Sequence, residues 1–125
     1  MPEGDAGRFG GLKMANLIAI VGGSGHVHQS EEAQALVAEC LSQFACGSVA
    51  ALYDLGVAFS TGSHGVACDL VEAHKWFNIA AARGHEEAAW CRADVSEEMT
   101  ARDIAEAQRR AREWLRADAA ERRAA

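Results

Sequence analysis

Asp69-Leu70-Val71-Glu72-Ala73-His74-Lys75 is followed, 34 residues later, by Asp103-Ile104-Ala105-Glu106-Ala107-Gln108-Arg109. Five of the seven positions are identical or close in kind. Each segment has the pattern of a helix start: Asp69 with Glu72 three residues on, much like a capping box, and Thr100 with Asp103 repeating the capping pattern, each followed by apolar residues at helical spacing. Gly47 and Gly84, each closing one helix before another begins, lie 37 residues apart. A helix pair recurring every 34 to 37 residues cannot bury its apolar face alone and is the signature of a short α-solenoid.

Working outward, the apolar period predicts the neighbouring helices. Ala33, Leu36, Val37, Cys40, Leu41 and Phe44 recur at i, i+3, i+4, i+7, i+8 and i+11, behind Ser30 as N-cap and with Glu31 and Glu32 at the positive helix end. Leu52, Leu55, Gly56 and Phe59 form the next face, with Ser48 as its expected cap. A glycine costs about 1 kcal/mol against alanine inside a helix, so Gly56 points to a close helix–helix approach. Leu70, Ala73, Phe77, Ala80 and Ala81, with Trp76 beside them, form a third face, and Ile104, Ala107, Ala111, Trp114 and Leu115 the last. The expected helices are 31–46, 49–61, 69–83, 86–98 and 101–117, antiparallel and with no sheet. The expected organisation is a partial repeat (30–46), a full repeat (47–84), a degenerate capping repeat (85–117) and a frayed tail (118–125). Residues 1–29 carry seven glycines and no helical period, and are expected to form a mobile arm with one short helix or strand at 17–21.

Composition agrees with an all-α domain. Half of the 125 residues are hydrophobic, alanine is abundant, and Pro2 is the single proline. The longest apolar run, 14–21, falls far short of the ~20 residues that span a bilayer. The stretch before it has no net positive charge and no clean cleavage site follows, so a cytoplasmic location is expected. The net charge of −6 is unevenly spread. Residues 26–100 carry eleven acids against Lys75, Arg83 and Arg92, a balance of −8, and residues 101–125 carry seven arginines against five acids, a balance of +2. An acidic body repels nucleic acid, so neither nucleic acid nor membrane is an expected partner.

The segment 51–59, Ala51-Leu52-Tyr53-Asp54-Leu55-Gly56-Val57-Ala58-Phe59, resembles the first helix of a Sel-one-like repeat, a branch of the tetratricopeptide superfamily whose mark is Leu-Gly followed by an aromatic. Gly62-Ser63-His64-Gly65-Val66 is similar to its Gly-x-Gly-Val turn, with one extra residue between the glycines. Asp69 matches its helix-opening aspartate, Glu72-Ala73-His74-Lys75-Trp76-Phe77 its central run, and Ala80-Ala81-Ala82-Arg83-Gly84 its closing Ala-Ala-x-x-Gly. The likeness is specific over 47–84 and weaker over 85–117, where Arg92 and Ala93 replace Leu55 and Gly56. It does not extend to 1–29.

The resemblance implies a non-catalytic scaffold or adaptor that arranges other proteins, with no cofactor and no reaction. It also implies that the first helix of each pair lines a concave groove. With Gly56 at the small-residue position, the groove residues are Ala50, Tyr53, Val57, Ser60 and Thr61. A shift of 37 residues adds Glu87, Trp90, Asp94, Glu97 and Glu98. Four of those five are acidic, so the implied partner is a basic or extended peptide, Tyr53 and Trp90 supplying contact area. The alternative is a small self-associating protein, a homodimer.

Residues that suggest chemistry are each outweighed. The apolar run 17–21 before Gly22-Gly23-Ser24-Gly25 lacks the third glycine of a dinucleotide loop, where His28 stands, and the Lys of a P-loop. His26-Val27-His28 supplies two ligands where zinc needs three or four. His85-Glu86-Glu87 has Ala89 where a zincin needs its second histidine. Cys40, Cys46, Cys68 and Cys91 follow no metal or disulfide spacing, and no elbow-like turn surrounds any of them. A third, weaker reading is an enzyme using His and Cys at the junction of arm and body. Arg109, Arg110 and Arg112 lie within reach of Glu106 and Glu113 and read as a solvated face.

Overall fold

The computed structural model describes residues 30–124. The expected arm 1–29, with its segment 17–21 and the pair His26 and His28, lies outside the described residues. Five helices make up the rest: α1 (Glu31–Ala45), α2 (Ala50–Thr61), α3 (Leu70–Ala82), α4 (Glu86–Ser96) and α5 (Ala101–Ala124). No strand occurs among the described residues.

The helix ends show why the chain breaks where it does. Ser30 Oγ accepts the Ala33 N–H at 3.1 Å and donates to the Gly65 carbonyl, tying the start of α1 to the α2–α3 loop. Asp69 Oδ1 accepts the N–H groups of Val71 and Glu72. Gly47 and Gly84 close α1 and α3 in the same way. Each has positive φ, 105° and 100°. Each donates to the carbonyl three residues back, while the next residue, Ser48 or His85, donates to the carbonyl five back. This is the Schellman arrangement, which needs the left-handed backbone that glycine adopts without strain.

Two expected caps are corrected. Ser48 does not cap α2, because Val49 occupies that position and makes no side-chain bond. Glu72 does not complete a capping box, since its carboxylate turns inward to Lys75 and Arg110. His85, which sequence reasoning left out, caps α4 by accepting the Ala88 N–H on Nδ1.

α3 is the centre of the molecule and packs on α2, α4 and α5. It runs antiparallel to α2: Asp69 donates to the Phe59 carbonyl at one end, and Tyr53 meets Phe77 and His85 at the other. A Cβ built on Gly56 would stand 2.5 Å from two ring atoms of Phe77, so the close approach expected at this glycine is present.

α3 and α5 lie side by side and parallel. Glu72 meets Arg110, Trp76 meets Trp114 edge-on at 5.7 Å, and Arg83 meets Asp118. These contacts are offset by 38, 38 and 35 residues, close to the sequence period. Tyr53 of α2 likewise reaches Cys91 of α4 across 38 residues. α4 and α5, although consecutive, barely touch. The reason lies in α4, whose one fully buried residue is Ala88, so it has no apolar face to offer a second neighbour.

The core follows the sequence faces, with Leu41, Leu52, Leu55, Phe59, Trp76, Phe77, Ile79 and Trp114 sealed from solvent. The C-terminal tail is corrected. Instead of fraying after 117, α5 continues to Ala124, because Asp118 is buried and held by Arg83 and Arg122.

Candidate protein-binding face

Glu87, Trp90, Asp94 and Glu97 fall on one side of α4 and its C-cap, at spacings of three, four and three residues, away from buried Ala88. Trp90 is 70% exposed and is the single large hydrophobic residue left in solvent among the described residues. Glu86, four residues before it, is also exposed and adds an acid that sequence reasoning did not include. Among the described residues, none of these carboxylates, nor that of Glu98, makes an ion pair or side-chain hydrogen bond. An indole ringed by unpaired acids is an unusual surface, because a desolvated tryptophan contributes strongly at interfaces while charge governs encounter.

The α2 half of the expected groove is different. Tyr53 is half-buried: its ring stacks on His85 at 4.5 Å and lies 5.7 Å from Phe77, and its hydroxyl meets Cys91 Sγ at 3.8 Å. The Cys91 contact, burial and the nearby acids push that hydroxyl up to about 12. Tyr53 therefore joins α2 to α4 more than it faces a ligand. Val57 packs against the core, and its carbonyl accepts both the Ser60 and the Thr61 hydroxyl at 2.9 Å. Ala50 is exposed at the first turn of α2. The ten groove positions thus divide into an internally satisfied α2 group and an open α4 group.

A second constellation was not foreseen. Lys75 is 0% exposed, its Nζ 2.9 Å from Glu72 Oε1 and 4.2 Å from the Trp76 ring centroid. Arg110 bonds the other Glu72 oxygen at 2.7 Å and also reaches Glu106, which Arg109 holds in turn. Arg110 is thus buried, not part of a solvated face as expected. Burial pushes the Lys75 ammonium below the ordinary lysine range, opposed by Glu72, and the two arginines hold Glu106 down at about 2. His74 is buried as well, and burial and Arg92 push it below the usual histidine range. Glu72, Lys75 and Arg110 together pin α5 to α3.

All four cysteines are free: Cys40 is buried, Cys46 and Cys68 are exposed, and Cys91 is intermediate. Burial, with Asp54 and Glu39 nearby, raises the Cys40 thiol to about 11, which makes it a poor nucleophile. No three His, Cys, Asp or Glu residues among the described ones converge as metal ligands. No described helix is long and apolar enough to cross a membrane. Comparison with family models, with curated proteins and with solved structures gives no match to this chain.

Proposed function

We propose that this chain is a non-catalytic protein-interaction module of Sel-one-like helix-pair repeats, and that it receives a basic segment of a partner on the outer face of α4. The observation that carries the reading is Trp90, 70% exposed on an ordered helix and bracketed by Glu86, Glu87 and Asp94. A large apolar group in that position is costly to leave in water and rewards a partner that covers it. The unpaired acids select for arginine or lysine, and an arginine can also stack on the indole. The repeat reading is supported by the two glycine-closed helix ends 37 residues apart and by neighbour contacts offset by about one period.

Tryptophan fluorescence tests it. Trp76 and Trp114 are 0% exposed, so acrylamide quenches mainly Trp90. Titration with a helical arginine-rich peptide should protect Trp90 from quenching at low salt and lose that protection at high salt. Protection should be absent in E87Q/D94Q/E97Q. A peptide that leaves quenching unchanged, or protects equally without those acids, contradicts the reading.

A further inference from the structure

The arginines of α5 form a pattern that the α3 contacts do not use. Arg102, Arg109, Arg116 and Arg123 recur every seven residues, with Arg112 beside them, and all five are exposed. At 3.6 residues per turn they occupy one stripe, opposite the buried Ala107, Ala111, Trp114 and Asp118. Arg109 is engaged by Glu106 and Glu113. The other four make no hydrogen bond or ion pair among the described residues.

The acids of α4 are unpaired in the same way. Proximity in sequence would allow α4 and α5 to neutralise each other, yet the two helices barely touch and both pack on α3. Each molecule therefore presents an unspent acidic face and a basic stripe in which Arg109 alone is shared with acids of its own helix.

The spacings match. Glu87 and Asp94 are seven residues apart with Trp90 between them, and Arg109 and Arg116 are seven apart with Arg112 between them. Seven residues of helix rise about 10.5 Å, so both acids can meet arginines while the Trp90 ring lies over the Arg112 guanidinium, a favoured cation–π partner. We propose that the chain self-associates by seating the acidic, Trp90-centred face of α4 on the arginine stripe of α5 in a second copy.

The proposal rests on the reading of α4 as the docking face and names the basic partner. Such a contact joins unlike surfaces, so each added molecule keeps a free face unless the assembly closes. Opposite charges at about one Debye length or less also make it sensitive to salt.

The test is sedimentation velocity of the full chain over a wide concentration range at low and high salt. The weight-average mass should rise above the 13.3 kDa of one chain at low salt and return to it at high salt. D94R should weaken association by about tenfold or more, and so should R116E, since each sets like charges against each other in that register. Both positions are exposed, so the variants should keep the wild-type circular dichroism. D94R/R116E restores opposite charges at that pair and should associate again. Mixing the two single variants should also restore association, because the unchanged α4 of R116E can seat on the unchanged α5 of D94R. A chain that stays monomeric at every concentration, or one that associates while D94R/R116E fails to recover, overturns the proposal. The quenching titration with the arginine-rich peptide remains a separate reading of α4, so failure of self-association and failure of the docking face are told apart.

Discussion

At Gly56 the α2–α3 crossing depends on a side chain that is absent. Phe77 is 2% exposed and enclosed by α2 and Tyr53, so its ring has nowhere to move when a larger residue arrives. Gly56→Leu should therefore lower stability by about 1–3 kcal/mol. Urea unfolding reads this as a lower midpoint, and an unchanged midpoint would mean that the crossing is loose. Glu72 makes the opposite kind of contact, a charge held between two others. Glu72→Gln leaves Lys75 and Arg110 buried with less compensation and should cost about 3–5 kcal/mol. Adding Lys75→Met removes one of the stranded charges and should recover part of that loss. A double-mutant cycle measures the coupling. Strictly additive effects would show that Glu72 and Lys75 do not act as a pair.

Among the elements, α1, α2 and α3 were legible from apolar spacing, and the structure buries nearly every residue those faces named. Their boundaries shifted by about one residue because the caps, not the apolar period, set the ends. The end of α5 was missed for a physical reason. Asp118 continues the series Ala107, Ala111, Trp114 at helical spacing, but an acid was not read as a core residue. Its burial depends on Arg83, 35 residues away in sequence, which no local pattern reveals. Lys75 and Arg110 were missed for the same reason, since a charge enters a core only with a partner. Asp118→Ala should lower stability by about 1–3 kcal/mol and raise amide exchange in the last two turns of α5. Unchanged exchange there would show that Asp118 does not anchor the helix. The division of the groove was also illegible: Tyr53 and Trp90 occupy equivalent sequence positions, but only Tyr53 has His85, Phe77 and Cys91 to cover it.

Over the whole molecule, the uneven charge read from the sequence becomes geometry. An acidic α4 and an arginine-striped α5 flank the same central helix, and among the described residues the acids of α4 and four of the five stripe arginines pair with nothing. The proposal on which the rest depends is that a basic partner docks on α4. The most direct test is a two-dimensional nitrogen–proton spectrum of the chain, recorded while the arginine-rich peptide is added. Three indole N–H signals are available, two from tryptophans 0% exposed and one from Trp90. The Trp90 signal and the amides of 86–98 should move together and saturate, while the indoles of Trp76 and Trp114 stay in place. A saturating shift confined to α2, or a Trp90 signal that never moves while other amides do, would contradict it.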